Sequence, residues 1–406
     1  MRKQDTVLYQ LLQQVPWQRF AELSAEPAYA AKVRAFTAQS HLVALIYAQL
    51  IGAASLREIS LGMKSQARRL AALDVAPVPR STLSEANRAR PCALFIALFL
   101  AMISRLNQAQ RRRLDQTVYL IDASFLALSA RYAGWAGFSA RTCGAKMHVI
   151  YDESDGQPIY AAVSAANVND ITMAQSMPLQ PGATYVFDLA YYDYAWYDYA
   201  WWAELDAAQC RIVTRLKCNT ALEVTEIRAV PAGADHILAD QIGFLPKRQA
   251  YSRRNPMAGA VREITVRIDT GAVLRILSND LDAPATEIAA LYKRRWQIEL
   301  FFRWIKQVLK IGHFYSVSAN AVTTQVATAL ITYLLLHAAH KCHGVPLRRL
   351  DFVRLVRINL MLDCPLEALL PHPLSRSGFP SRQSTDEETT NRKHKPCRTA
   401  VAQAGP

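Results

Sequence analysis

The sequence predicts an α/β protein: about 110 helical residues, then a mixed sheet flanked by helices. Three observations lead there. Apolar residues recur at helical spacing in Val7 to Val15, Leu42 to Ile51 and Ala93 to Leu106, with Pro16, Gly52, Pro77 and Pro79 as punctuation. From Thr117 the pattern changes to short β-branched and aromatic runs, beginning with TVYLIDAS. Long helical stretches return only near residue 290, in Leu291 to Lys310 and Ala321 to His340.

In the helical part, the segments Ser55 to Ser60 (SLREIS) and Arg80 to Arg90 (RSTLSEANRAR) combine helix-start hydroxyls with arginines. Ser81 or Thr82 is expected to cap a helix, with Glu85 completing a capping box. Arg57, Arg80, Arg88 and Arg90 then form either a DNA-contacting face or a solvated basic one. The first strand is expected to carry Asp122 at its carboxyl end. Lys146 to Asp152 and Pro158 to Ala165 flank the turn former Glu153 to Gly156 and predict a hairpin. Ala183 to Asp188 repeats the form of the first strand, an apolar run closed by an aspartate, and a short strand at Arg211 to Arg215 follows. Residues 219 to 285, with strand-like stretches at Arg262 to Asp269 and Ala272 to Ser278, predict a β-rich insertion. The expected division is 1–110 as a helical DNA-binding domain and 111–345 as the catalytic domain, followed by a helical segment at 346–374. The tail, 375–406, is rich in Ser, Thr, Pro and charge and is expected to be disordered.

Composition narrows the class. With 51% hydrophobic and 20% charged residues, a chain of 406 can bury a substantial core, which excludes disorder throughout. Lys and Arg number 47 against 33 Asp and Glu, a net charge of +14, so a polyanionic partner is expected, nucleic acid before an acidic membrane surface. Seven cysteines without a C-x-x-C pair suit a reducing interior. The longest apolar stretch noted, Cys92 to Ile103, is too short to span a bilayer, so a cytoplasmic protein with no membrane association is expected.

Chemistry concentrates on Leu291 to Lys310, expected to be a buried helix with Leu291, Ile298, Phe302, Ile305 and Leu309 inward. At about 100° per residue, Tyr292, Arg295, Glu299 and Lys306 share an arc of roughly 60°, with Arg303 and Lys310 close by. Glu299 is the sole anion on this stripe. Arg295–Glu299–Arg303 also has the spacing of an ordinary salt-bridged face. Upstream, Asp122 and Asp188 lie 66 residues apart (188−122), and Glu299 follows Asp188 by 111 (299−188). Two aspartates on neighbouring strands and a helical glutamate can hold two Mg²⁺ ions about 4 Å apart, because hard cations take oxygen ligands.

The spacing Tyr292, two residues, Arg295, three residues, Glu299, six residues, Lys306 resembles the Y-R-E-K signature of bacterial insertion-sequence transposases of the DDE type, in the group named after insertion sequence four. DLAYYDYAWYDY from Asp188 is similar to the family's D-x-G-Y-x-D motif, with Tyr191 and Asp193 in register and Ala190 where Gly is usual. Asn167, Asp170, Phe314, Asn320 and Gln325 extend the likeness to about residue 340. The resemblance implies a ribonuclease H-like catalytic core with an insertion before the last catalytic helix. It implies Asp122, Asp188 and Glu299 as catalytic acids and metal ligands for two Mg²⁺ ions, with Mn²⁺ able to substitute. Tyr292, Arg295 and Lys306 would hold phosphates near the cut, with Arg215, Lys217 and Arg303 as further DNA contacts. The implied reaction is cutting at terminal inverted repeats and transfer of the 3′ ends to target DNA. It would occur on double-stranded DNA, by a homodimer in a synaptic complex, at the nucleoid. A metal-dependent nuclease would share the acids. A transposase-derived DNA-binding protein that no longer cleaves would share the basic surface.

Overall fold

The computed structural model describes residues 6–29, 36–108, 117–137, 142–189, 199–247, 254–342 and 347–369. Among them the strands are β1 (Val118–Leu128), β2 (Cys143–Asp152), β3 (Gln157–Ala165), β4 (Thr184–Val186), β5 (Arg211–Arg215), β6 (Glu223–Ile227), β7 (Ile237–Phe244), β8 (Val261–Arg267) and β9 (Val273–Ser278). Seven helices precede the sheet: α1 (Val7–Leu12), α2 (Trp17–Ala25), α3 (Ala38–Ile51), α4 (Leu56–Ser65), α5 (Ala67–Ala71), α6 (Arg80–Ala89) and α7 (Cys92–Gln108). Three short ones lie between strands: α8 (Ala133–Ala136), α9 (Asp170–Ala174) and α10 (Ala200–Ala207). Four follow: α11 (Ala285–Arg294), α12 (Trp296–Val308), α13 (Ala319–Cys342) and α14 (Arg349–Asn359).

The strands make one mixed sheet in the order β3-β2-β1-β4-β5-β9-β8-β7-β6. β1 pairs antiparallel with β2 and parallel with β4, and β4 pairs parallel with β5. The predicted hairpin is present as β2 and β3. The β-rich stretch after residue 219 does not stand apart. β9 returns to pair antiparallel with β5 at Val213↔Ser278, and β8, β7 and β6 continue outward from it. The backbone edge that β5 would otherwise expose is thereby satisfied.

Side-chain alternation divides β1 between two cores. Leu120 and Leu126 join the large core built with α3, α7, α12 and α13, whereas Tyr119 and Ile121 join a second core with Phe187, Trp201 and Trp202 on the opposite face. Asp122 shares the parity of Leu120 and so faces the side that carries α12. Two expectations change here. Asp122 sits mid-strand rather than at a strand end, because pairing with β2 continues to Leu128↔Cys143. The helix expected from Leu291 to Lys310 begins at Ala285 and breaks at Arg295, whose N–H bonds Tyr292 O three residues back, at 3.1 Å.

α13 is the axis of the large core. It is long and apolar enough to cross a membrane by length and composition, although composition alone pointed to no such segment. Its apolar window is 89% buried inside the protein, where α3 and α7 pack on it. Thr328 and Thr332 return their hydroxyls to the carbonyls of Thr324 and Thr328, each at 2.8 Å, which satisfies polar groups in an apolar setting. α1 also meets the segment after α14: Val7 N–H donates to Leu362 O at 3.1 Å, and Leu8 N–H to Leu360 O at 2.9 Å.

Helix capping differs from expectation. Pro79, extended at φ −63° and ψ 147°, is the residue before α6, so the helix starts at Arg80 and neither Ser81 nor Thr82 caps it. Hydroxyl caps occur instead at Thr6, Thr37 and Ser55, the last accepting the Glu58 N–H at 3.2 Å while the Glu58 carboxylate accepts the Ala54 N–H at 2.8 Å. Arg90 is buried and donates to Phe36 O at 2.8 Å, so it is a structural residue and not part of a DNA-facing set. Arg88 is clasped by Glu85 at 2.6 Å on the surface.

Candidate active site

Three separate elements present the acids. β1 presents Asp122, the loop after β4 presents Asp188 two residues past Val186, and the first turn of α12 presents Glu299. Arg295, at the break between α11 and α12, lies between two of them. Its Nη1 is 3.4 Å from Asp122 Oδ2, and its Nη2 donates to Glu299 Oε1. The Asp122, Arg295 and Glu299 side chains are 15%, 17% and 31% exposed, so this ion-paired group is sheltered but open at one side. Its opening is a cavity lined by Asp122, Ser124, Glu299, Arg303 and Lys306.

The electrostatics identify the neighbours. Burial pushes the Asp122 carboxyl up to about 7, and the Asp188 charge adds to the shift. Its bond from the Ala123 N–H and the Arg295 charge pull the other way, and Glu299 raises it again. Burial also raises the Tyr292 hydroxyl, with Arg295 and Arg215 opposing and Asp188 reinforcing. Arg215 at the end of β5 therefore belongs to the same constellation. Burial lowers Lys306, and the Asp122 charge partly offsets it. Burial opposes the Arg295 charge, but its Tyr292, Glu299 and Asp122 interactions outweigh that and raise its pKa, and the guanidinium lies 5.9 Å from the Tyr292 ring centroid.

The expected DNA-contacting residues are thus placed unevenly. Tyr292, Arg295, Arg215, Lys306 and Arg303 gather around the acids, Arg303 stacking on the Trp296 ring at 5.6 Å. Lys217 does not join the exposed set, being only 9% exposed. Asp170 is held by Lys146 at 3.0 Å, and the motif positions Asn320 and Gln325 are structural clamps. Asn320 accepts the Cys92 N–H at 2.8 Å and donates to Asn87 O and Arg90 O at 3.0 and 2.8 Å, tying α6 and α7 to α13. Gln325 spans His313 O and the Tyr315 N–H. Trp201 and Trp202 are core. Ala190, Tyr191, Tyr192, Asp193 and Trp196 lie outside the described residues, as does the tail. Ser124 and Gln307 were not foreseen; both line the cavity, and only β1 alternation past Asp122 could have signalled the first.

A hard divalent cation fits the donor chemistry. Carboxylate oxygens are the ligands such ions take, and the charge of Asp188 opposes ionisation of Asp122, a repulsion a cation would relieve. Among the described residues no three acidic, His or Cys side chains lie close enough to form a metal-holding group, and Arg295 fills the space between Asp122 and Glu299.

The family described as "Transposase DDE domain" matches residues 113–335, over half of the chain. The Sinorhizobium fredii protein named as transposase y4zB is 36% identical over 279 residues, 68% of this chain and 75% of that one. The chain belongs to the transposase DDE domain family. A Geobacillus stearothermophilus protein named as a transposase for insertion sequence element IS5377 is 25% identical over 294 residues, 69% of this chain and 75% of that one. Residues 3–74 match a domain of unknown function (DUF4372). A solved piggyBac transposase synaptic complex with hairpin DNA aligns with a TM-score of 0.40 and 11% identity over 93% of this chain and 87% of that one. Membership in the DDE family makes this chain a transposase of the insertion-sequence type, a class that cleaves and transfers DNA.

Proposed function

We propose that this DDE transposase cuts at the terminal inverted repeats of its insertion sequence and joins the 3′ ends to target DNA, using Asp122, Asp188 and Glu299. One observation carries the reading: Asp122 and Glu299, 177 residues apart in sequence (299−122), share one cavity with Arg303 and Lys306 and are bridged by Arg295, while the Asp188 charge acts on Asp122. The strand order β3-β2-β1-β4-β5, with β2 and β3 antiparallel to their neighbours and β1, β4 and β5 parallel, supports a ribonuclease H-like core. Residues 1–110 would serve as the helical DNA-binding part, with exposed Arg57 and Arg80 as phosphate contacts.

In this reading Asp122, Asp188 and Glu299 would hold two divalent ions, Mg²⁺ or Mn²⁺. Such ions supply activation of the attacking oxygen and neutralisation of the leaving one. The remaining residues position DNA. Lys306 offers a point charge to a phosphate, Arg303 is braced by Trp296, and Arg215 and Tyr292 would add contacts beside Asp188. Partial burial strengthens each contact by excluding water. The protein would act on double-stranded DNA as a homodimer pairing two ends, in the cytoplasm.

The test is cleavage of a terminal-repeat oligonucleotide with and without Mg²⁺, in the wild type and in Glu299→Gln. The variant keeps the shape and removes one negative charge. Cleavage and strand transfer are expected to fall by orders of magnitude while DNA binding persists or tightens. Near wild-type cleavage by Glu299→Gln would falsify the assignment. Cleavage without end joining by the wild type would favour the nuclease reading.

A further inference from the structure

We propose that Arg295 occupies the metal site's oxygens as an internal cation and moves to a DNA phosphate when metal enters, so that metal and DNA binding assist one another. This rests on the reading of Asp122 and Glu299 as metal ligands. Three features point to it. The guanidinium bridges the two carboxylates, with Nη1 3.4 Å from Asp122 Oδ2 and Nη2 on Glu299 Oε1. Its Nε is buried and donates to no partner among the described residues. Arg295 also sits at the break between α11 and α12, where a small backbone adjustment can re-aim a long side chain.

The competition is one of coordination. A divalent cation needs oxygens of the same two carboxylates that the guanidinium fork holds, and the two positive charges repel one another there. A phosphate accepts the same two-pronged donation as a carboxylate, so DNA offers Arg295 an equivalent partner at the moment metal displaces it. Coupling between two ligands is reciprocal, so DNA must tighten metal binding by the factor by which metal tightens DNA binding. Arg295 is therefore a positioning residue that keeps the acids together before either ligand arrives.

The test is calorimetric titration of Mn²⁺ into the full-length wild type, Arg295→Gln and Arg295→Lys, each with and without a cleavage-resistant terminal-repeat duplex, with folding checked by thermal melting. Without DNA, Arg295→Gln is expected to bind Mn²⁺ about tenfold more tightly, within the usual range for coupled sites. Arg295→Lys keeps the charge but loses the fork, so tightening in that variant isolates the bridge from net charge and serves if Arg295→Gln does not fold. DNA should tighten Mn²⁺ binding in the wild type and much less in either variant. Equal Mn²⁺ affinity in all three proteins, or weaker affinity in Arg295→Lys, overturns this inference alone. Failure of all three to bind Mn²⁺ overturns the carboxylate reading and the inference with it.

Discussion

Lys306 is half-buried, lines the cavity shared by Asp122 and Glu299, and makes no ion pair among the described residues. Replacing it with Ala keeps α12 intact, since Ala is the best helix former. The lost charge-assisted phosphate contact is worth about 1.5 kcal/mol, so Lys306→Ala should weaken transposon-end binding roughly tenfold and slow cutting. Metal binding should remain. Unchanged end binding and cutting in a gel-shift and cleavage pair would return the stripe to a solvated face. A second residue-scale prediction concerns His41, which is fully buried with Nε2 2.7 Å from Asn87 Oδ1. Burial, helped by the Arg90 charge and opposed by the Asn87 bond, lowers it from 6.5 to about 3. As pH falls below 6.5 the unfolded chain takes a proton that the folded one refuses, so stability drops until pH nears 3. The wild type should lose about 1.4 kcal/mol per pH unit more than His41→Gln across that window. Parallel melting-temperature curves for the two proteins between pH 4.5 and 7.5 would contradict this.

At the scale of elements, the outer edge of the sheet depends on one glycine. β6 is exposed along its length and pairs only with β7, where Gly243 lies opposite Val224. A Cβ at Gly243 would come within 2.3 Å of the Glu223 backbone oxygen, and no side-chain rotation relieves a backbone clash. Gly243→Ala should therefore separate β6 from β7 at a cost of about 1–3 kcal/mol. Hydrogen exchange should accelerate at residues 223–227 while β8 and β9, held between neighbours, stay protected. Uniform exchange in both proteins would show that the edge tolerates the methyl group. The active site, at the other end of this extension, is buffered by β9 and β5 and should keep its geometry.

For the whole molecule, net charge governs association with DNA. A charge of +14 implies that binding is driven largely by release of counterions from phosphates. Each phosphate neutralised contributes a slope of about −0.9 in log affinity against log salt, so several contacts cost on the order of a thousandfold between 50 and 200 mM salt. A dissociation constant that stays flat over that range would show that the basic surface is not the binding surface. The described fold adds that these cations are not spread evenly. Arg90 is inside, Arg88 is paired with Glu85, and Arg211 is paired with Asp280 and Glu287, whereas Arg303 and Lys306 open on the acids.

Local pattern in the sequence made several elements legible: the apolar face of α12 by its period of 3.6, the buried helix α13 by a long apolar run, and the β2–β3 hairpin by β-branched and aromatic runs flanking a turn former. Spacing also marked Tyr292, Arg295, Glu299 and Lys306 as one stripe, since residues three and four apart share a helix face. Other features were beyond its reach. That β9 pairs with β5 and merges the late strands into one sheet depends on hydrogen bonds between residues about 65 apart, which no local pattern encodes. Arg90 carries the same charge as Arg80, yet one is core and the other surface because Phe36 O and the α6–α7 corner enclose the first. The Arg295 bridge likewise joins positions 173 residues apart, across β1 and the α11–α12 break. Local chemistry chose the residues, and only tertiary packing, which sets burial and through-space distance, decided which charges meet.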